Sequence, residues 1–145
     1  MAIKFYMQAT GIPGDATAGD YRNWIDVLSY SWGGDNAERP TPSRDDLFPA
    51  DVPLQVTCNV GKQTTGLLGK FHTRGQVNSV VLVGVDGRDE FIRITLTQAL
   101  VTQWEMAGSA SSDSPAESWS FSYRSSTVRL GSLEESWTWQ SVAES

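Results

Sequence analysis

The clearest pattern along the chain is an alternation of apolar and polar residues over positions 24–33. Its apolar row consists of Leu28, Tyr30 and Trp32. Ser29 and Ser31 form a row of small polar side chains between them. Because successive side chains of a strand point to opposite faces of a sheet, this pattern predicts a strand that packs one face on a core. The serine face is then expected to meet water or a polar cavity.

Similar runs predict further strands in the rest of the chain. They cover residues 3–8, 52–60, 79–85, 89–96, 99–106, 117–130 and 136–142. Short strands separated by turn signals are typical of a barrel or sandwich. We therefore predict a single, mostly β domain over residues 1–145, a small β-barrel of two packed sheets with one short flanking helix and an extended loop.

The flanking helix is predicted at about residues 65–74. Its apolar side chains, Leu67, Leu68 and Phe71, share one helical face. Thr64 or Thr65 is expected to cap the start of this helix. Gly75 is expected to end it in the left-handed conformation.

The extended loop is predicted at about residues 34–50. This stretch combines prolines, glycines and many charged side chains, and it has no hydrophobic period. Structureless segments of this length inside a small domain are usually functional or disordered. We expect a long exposed loop here.

Composition narrows the range of functions. The formal net charge is −6 and there is no basic run, which argues against binding nucleic acid or an anionic membrane surface. No apolar run is long enough for a signal peptide or a membrane-spanning helix. We therefore expect a cytoplasmic protein that, if it is exported, is secreted without a signal peptide.

Candidate chemistry is sparse. Cys58 falls in an apolar row and is interpreted as a small buried side chain. Asp45, Asp46 and Asp51 match no standard calcium loop. The single histidine, His72, lies near the end of the predicted helix and is interpreted as a surface residue. The sequence predicts no active site, no metal and no cofactor, which favours a structural or binding protein.

Several ordered motifs nevertheless resemble those of a known family. They are the turn at 11–15, the strand at 25–33, the capped helix at 65–75, the strand at 90–101, the loop at 108–115 with the strand at 117–123, and the final strand at 136–142. In this order and spacing, the chain resembles the hemolysin-coregulated protein family, the tube subunit of bacterial type VI secretion systems. The resemblance covers nearly the whole chain, and its weakest part is the extended loop.

The resemblance implies a subunit of a larger assembly. Members of this family form hexameric rings, and the rings stack into a tube that lies inside a contractile sheath and below a spike protein. Such rings can hold small effector proteins. Under this interpretation, Ser29 and Ser31 are expected to face the lumen of the ring. Candidates for contacts between stacked rings lie in the extended loop and are Asp35, Glu38, Arg39, Asp45 and Asp46.

Two other classes remain open from the residues. A monomeric β-barrel module that binds a carbohydrate or another ligand would use exposed tryptophans, of which the chain has six in all. A small hydrolase would have to use Asp45, Asp46 or His72. The mass in solution separates the first alternative from a ring, and loss of activity in His72→Ala would support the second.

Overall fold

The computed structural model describes residues 3–33, 53–87, 89–108, 110, 115–131 and 133–138, with the side chains of 136–138 excepted. These residues form eight strands, one α-helix and one 3₁₀ helix. In chain order they are β1 (Ile3–Ala9), the 3₁₀ helix (Gly19–Tyr21), β2 (Ile25–Val27), β3 (Ser29–Trp32), β4 (Leu54–Asn59), α1 (Gln63–Thr73), β5 (Val77–Asp86), β6 (Asp89–Ala107), β7 (Ala116–Leu130) and β8 (Leu133–Thr138).

The described strands form one continuous sheet in the order β2-β1-β5-β6-β7-β4-β3, with β8 paired to β7. All neighbouring pairs are antiparallel. β2 and β3 stand at opposite ends of this order, yet only Leu28 separates them in the chain. The sheet therefore curls into a nearly closed barrel whose two ends meet in one bent segment. The predicted mostly β barrel with one short helix is confirmed, although its strands belong to one sheet.

The bent segment corrects one prediction. β2 pairs with β1 and β3 pairs with β4, so the segment at 24–33 changes partner at Leu28. The side chain of Leu28 is 55% exposed, and its backbone N–H donates to the carbonyl of Thr57 over 2.7 Å. Ile25 and Val27 are buried before this point. The inward-facing residues thus shift from odd to even numbers at the bend, and the expectation that Leu28 shares the buried row with Tyr30 and Trp32 is wrong.

β6 is longer than expected. The strands predicted at 89–96 and 99–106 form a single strand of 19 residues. A corner was expected at Gln98, which has a φ of 53°. The residues before and after it, Thr97 and Ala99, nevertheless pair with both β5 and β7. β6 pairs with β5 as far as Ala99 but with β7 as far as Ala107. Its last eight residues, 100–107, therefore extend beyond β5.

The helix α1 begins two residues earlier and ends one residue earlier than predicted. It has no side-chain cap at its start, because Thr64 lies inside the first turn. Arg74, and not Gly75, has the left-handed conformation at its end, with a φ of 57°. The first turn is held to the barrel by Asp15, whose carboxylate accepts the backbone N–H of Lys62 over 3.1 Å.

The core lies inside the barrel and under α1. Its largest fully buried side chains are Trp119, Phe121, Met7, Ile25, Leu54, Leu67, Leu82, Ile94 and Leu96. The turn that precedes β2 packs close to this core, since a Cβ on Gly14 would lie 2.4 Å from the carbonyl oxygen of Trp24. Only glycine fits that approach, which gives a physical reason for a glycine in the turn at 11–15.

A second, smaller apolar cluster lies on the outer face of β1 and β5. The ring of Tyr6 stacks on the ring of Tyr21 with centroids 4.9 Å apart, and Trp24 packs edge-on against Tyr21. The hydroxyl of Tyr21 donates to Glu90 on β6 over 2.7 Å. The segment at 15–24 is therefore fixed against the outside of the barrel. Among the described residues, no helix is long and apolar enough to cross a membrane.

Candidate functional site

A continuous polar surface covers the outer face of β3, β4, β7 and the last part of β6. Residues paired across neighbouring strands lie on the same face of a sheet. The pairing registers align two rows of four residues across these strands. One row is Ser31, Gln55, Ser120 and Gln103, and the other is Ser29, Thr57, Ser118 and Glu105. We call these eight residues the polar face.

The opposite face of the same four strands forms the core. Leu54, Val56 and Cys58 on β4 are buried, and so are Trp119 and Phe121 on β7. The strict alternation of β4 and the first half of β7 therefore builds a wall with one apolar and one polar side. The side chains of the polar face are therefore held in place by hydrogen-bonded strands.

The chemistry of the polar face is mild. Its side chains are hydroxyls and amides except for a single carboxylate, Glu105. Thr57 and Ser118 are half-buried, with their hydroxyl oxygens 3.2 Å apart, and Ser120 is buried. The other members are exposed. Such a surface offers many hydrogen-bonding groups and little apolar area.

Both lateral edges of this wall lack a strand partner within the part of the chain that the structure describes. β3 pairs with β4 alone, and residues 100–107 of β6 pair with β7 alone. The β6 edge contains a bulge at Thr102, whose hydroxyl donates to the carbonyl of Ser120 over 3.2 Å. Unpaired strand edges expose backbone groups that pair readily with another chain.

A cleft of about 370 Å³ lies where the polar face meets the β6 edge. Its lining residues are Gln55, Phe71, Thr102, Gln103, Trp104, Glu105, Ser118 and Ser120. The ring of Trp104 is 37% exposed, and it stacks on the buried ring of Trp119 with centroids 6.1 Å apart. Phe71 of α1 packs edge-on against Trp104 at 6.4 Å. We call this recess the Trp104 cleft.

A second cleft of about 500 Å³ lies on the other side of Phe71, at the end of α1. It is lined by Phe71, His72, Arg74, Leu100, Val101 and Thr102. His72 is exposed, and its Nδ1 lies 2.9 Å from the carbonyl oxygen of Leu68 in its own helix. The histidine ring is therefore engaged by the backbone, and no carboxylate lines this cleft among the described residues.

A buried polar network lies behind the polar face and joins α1 to β7. Glu117 is 1% exposed. Its two carboxyl oxygens lie 3.1 and 2.9 Å from the hydroxyl of Thr64, and the amide of Gln63 donates to one of them. Burial, and then the adjacent Glu117 carboxyl group, raise the pKa of the Cys58 thiol to about 12. Cys58 is therefore a buried, un-ionised thiol, as the sequence predicts, and not a nucleophile.

Two of the site residues expected from the sequence lie on the polar face. Ser29 and Ser31 are both exposed there. Asp35, Glu38, Arg39, Asp45 and Asp46, the candidates for contacts between rings, lie outside the described residues, as does Asp51. The described residues contain no group of three or more histidine, cysteine or carboxylate side chains arranged to hold a metal.

Sequence reasoning missed the other members of the polar face. Gln55, Thr57, Ser118 and Ser120 occupy the polar positions of alternating strands, so the pattern places each on an outer face. Their alignment into rows depends on pairings between residues that are 13 to 65 positions apart, as in Glu105 with Ser118 and Gln55 with Ser120. No local pattern in the sequence contains that register.

The sequence model of the family described as type VI secretion system effector, Hcp, matches residues 6–129. The chain belongs to the Hcp family. Hcp is the abbreviation of hemolysin-coregulated protein, so the resemblance inferred from the motifs is confirmed. No match to the sequence is found among curated proteins.

Solved Hcp structures share the fold of this Hcp-family chain. A type VI secretion system effector from Yersinia pestis is 20% identical, with a TM-score of 0.80 over 93% of this chain and 99% of the other. Hcp3, a secreted protein from Pseudomonas aeruginosa, is 16% identical, with a TM-score of 0.76 over 97% and 100%. Hcp1 from Salmonella typhimurium is 16% identical, with a TM-score of 0.76 over 93% and 92%. At these identities the likeness concerns the fold alone.

Proposed function

We propose that this Hcp-family chain is a structural, non-catalytic subunit that forms hexameric rings, which stack into the inner tube of a type VI secretion machine and carry small effectors in their lumen. One observation carries the proposal. The wall formed by β3, β4, β7 and the end of β6 has a polar outer face and, within the described residues, an unpaired edge on each side. A subunit with two different free edges fits a head-to-tail ring.

The strand directions support pairing between these edges. Neighbouring strands of the wall are antiparallel, so β6 and β3, three strands apart, run in opposite directions. Rotation about a ring axis preserves those directions in every copy. The β3 edge of one copy therefore pairs in antiparallel fashion with the 100–107 edge of the next, and the alternation continues around the ring.

The size of such a ring suits a protein cargo. Strands lie about 4.8 Å apart, so a wall of four strands from each of six copies is roughly 115 Å around before strand tilt is included. The strand tilts of about 35–45° usual in barrels widen it to a diameter on the order of 45 Å. A folded domain of about 100 residues, with a radius of gyration near 13 Å, fits in that channel.

The polar face is our candidate for the channel surface. Ser29 and Ser31 would face the lumen beside the amides of Gln55 and Gln103. Hydroxyls and amides hold a cargo through exchangeable hydrogen bonds, each worth about 1 kcal/mol net. A cargo bound in this way is released when the tube disassembles.

The remaining partners follow from the same role. A tube subunit contacts a contractile sheath on its outside and a spike protein at its end. The extended loop at about 34–50, with Asp35, Glu38, Arg39, Asp45 and Asp46, remains our candidate for contacts between stacked rings. We propose that the protein is assembled in the cytoplasm and then secreted as part of the tube.

Disulfide cross-linking tests the seam between copies. Ser31→Cys combined with Gln103→Cys places thiols on the two edges of the wall. Within one chain these positions are three strand spacings apart, about 14 Å, which exceeds the reach of a disulfide. The native Cys58 is buried and does not compete. Mild oxidation is expected to give a ladder of linked copies that ends at six.

The register between the two edges determines which pair of cysteines forms a disulfide most readily. Four double variants are therefore compared, each combining Ser29→Cys or Ser31→Cys with Gln103→Cys or Glu105→Cys. Single Ser31→Cys is the matched control and gives at most dimers. If none of the four double variants gives a species larger than a dimer, the proposed seam is wrong. A strictly monomeric wild type by light scattering contradicts the ring itself.

The exposed Trp104 ring favours one alternative, a monomeric β-barrel module that binds a carbohydrate or another ligand. It predicts a monomer at every concentration and saturable binding of a saccharide at the Trp104 cleft. The same light-scattering measurement separates it from the ring.

A further inference from the structure

We propose that Trp104 and Met106 anchor the seam between neighbouring copies of the chain by packing on Leu28 and Tyr30 of the next copy. The inference rests on the proposed function, because the seam exists only in a ring. It adds an apolar side-chain contact to the pairing of two backbone edges, and so assigns particular residues to the choice of partner.

The free edge of β6 carries apolar side chains on the core side of the wall. Trp104 pairs with Trp119 and Met106 pairs with Glu117, and both of these residues on β7 are buried. Residues paired across neighbouring strands share a face, so Trp104 and Met106 lie opposite the polar face. Both are nevertheless exposed. They are core-side residues at the place where their own chain does not finish covering them.

This exposure follows from the length of β6. β5 pairs with β6 only as far as Ala99, so residues 100–107 have no neighbouring strand on that side among the described residues. The Trp104 ring stacks on Trp119 at 6.1 Å and meets Phe71 of α1 edge-on at 6.4 Å. Its orientation is therefore fixed before any partner arrives, which lowers the entropic cost of a contact.

The opposite edge of the wall carries a matching apolar pair. Tyr30 on β3 pairs with the buried Val56, so it lies on the same side of the wall as Trp104, and it is half-buried. Leu28 stands directly before β3 at the bend, with an exposed side chain. The two edges that a head-to-tail ring would join thus both present incompletely covered apolar side chains.

The strand registers bring these side chains to the same height. One row on the core side of the wall consists of Tyr30, Val56, Trp119 and Trp104. Where this row continues into the next copy, Trp104 meets the neighbour's Tyr30. The neighbour's Leu28, two residues away, is then diagonal to Trp104 and opposite Met106, and large side chains in both positions are within reach.

The side chains at this seam select the partner. Backbone groups of an exposed strand edge pair with almost any other strand, so they do not identify one. Tryptophan and tyrosine are enriched among the few residues that dominate interfaces. A Trp104 ring that requires Leu28 and Tyr30 opposite it therefore favours a second copy of this chain over an unrelated strand.

Exchange of subunits between rings tests the contact. Rings of the unlabelled full chain are mixed with rings of the ¹⁵N-labelled chain, and native mass spectrometry follows the appearance of mixed rings. Trp104→Ala, Met106→Ala and Leu28→Ala are each expected to exchange at least ~10-fold faster than the wild type, since interface substitutions act mainly on dissociation. A variant with the wild-type circular dichroism spectrum that forms no rings supports the inference more strongly.

Two matched controls measure the effect of removing an exposed apolar side chain elsewhere. Phe91 is 39% exposed against 37% for Trp104, and Ile3 and Leu28 are both 55% exposed. Phe91 and Ile3 lie outside the wall, so Phe91→Ala and Ile3→Ala are expected to exchange at the wild-type rate.

Leu28→Ala and Met106→Ala leave the stacking of Trp104 on Trp119 in place, so they decide the outcome if Trp104→Ala fails to fold. Wild-type rates in both variants overturn the inference and leave the Trp104 ring to a partner other than this chain. Equal acceleration in the controls overturns it as well.

A double variant tests whether the two edges touch at these residues. Leu28→Ala combined with Trp104→Ala removes both sides of one contact, and the effects of contacting residues are not additive. The double variant is therefore expected to exchange at about the rate of the faster single variant. If the two accelerations multiply, the residues do not touch and the inference is wrong.

The mass of the wild type separates this inference from the proposed function. A wild-type hexamer whose exchange is unaffected by the seam variants refutes the anchor and leaves the ring standing. A wild type that is monomeric at every concentration refutes the ring, and the seam with it.

Discussion

The carboxyl group of Glu117 lies at the start of β7, where its side chain is almost fully buried between the barrel wall and α1. Its contacts with Gln63 and Thr64 join the first turn of the helix to β7. Buried polar groups are costly when one partner is removed, because the other partners lose their hydrogen bonds without regaining water.

We therefore expect Glu117→Ala to lower the free energy of unfolding by about 2–4 kcal/mol. The hydrogen bonds that Gln63 and Thr64 lose and the cavity left by the side chain both contribute. Urea unfolding at a fixed protein concentration measures the effect, since assembly adds to apparent stability. Glu135→Ala, at an exposed position of β8, is the matched control and should change little. Equal losses in the two variants would contradict this role.

Glu117 also shows what the sequence could not predict. It precedes an alternating run in which Trp119 and Phe121 point inward and serines point outward, so its burial follows the strand pattern. A charged residue at an inward position gives no local indication of its partners. Those partners, Gln63 and Thr64, lie more than 50 positions earlier in the chain and become neighbours only in the folded barrel.

At the scale of elements, the segment at 15–24 is tied to the sheet by one carboxylate. Glu90 on β6 accepts hydrogen bonds from Tyr21, from Arg93 over 2.7 and 3.0 Å, and from Arg129 on β7 over 3.1 Å. The hydrogen bonds from Arg93, and then the one from Tyr21, lower the pKa of Glu90 from 4.5 to about 2 against the opposing effect of burial. Burial and the bond to Glu90 raise the pKa of Tyr21 to about 12.

This lowered pKa predicts a pH dependence. A carboxyl group with a lower pKa in the folded state contributes stability above its unfolded pKa of 4.5, and that contribution is lost as the pH falls towards about 2. Glu90→Gln should therefore lower the melting temperature by several degrees at pH 7 and hardly at all at pH 2. Thermal unfolding between pH 2 and pH 7 measures the difference, with Glu135→Gln as control. A deficit that stays constant over this range would disprove the linkage.

The elements also show how far the pattern of residues predicts structure. The alternating segments were correctly predicted to be strands, because each strand has one face on the core. It could not show that the segment at 24–33 changes partner at Leu28, because both halves of that segment are strands with similar local composition. Nor could it show that the chain continues as one strand through Gln98, where a left-handed residue bends β6 without interrupting its pairing.

At the scale of the whole molecule, the polar face predicts how the proposed ring would retain a cargo protein. In the proposed ring, Ser31 of each copy faces the lumen. Ser31→Gln adds bulk at six places in the channel, so it should reduce the amount of a co-expressed small effector protein that elutes with the ring. The mass of the empty ring should not change.

Thr17→Gln is the control for this experiment, because it adds similar bulk at an exposed position in the segment outside the barrel. Light scattering and the quantity of co-eluting effector are measured on the same fractions. Unchanged retention in Ser31→Gln would remove the serines from the channel surface. A loss of the ring itself would place Ser31 in the seam instead.

The bent segment at 24–33 has a further consequence for how such a subunit can diversify. It closes the barrel by pairing with β1 at one end and β4 at the other, and its second half also presents Ser29 and Ser31. In the proposed ring, a substitution there affects folding, assembly and transport at the same time. Gln55 lies on β4, which is paired on both sides within the same chain and takes no part in the proposed seam, so cargo preference can change there with little risk to assembly. We expect adaptation to new effectors to begin on β4, while the segment that closes the barrel changes last.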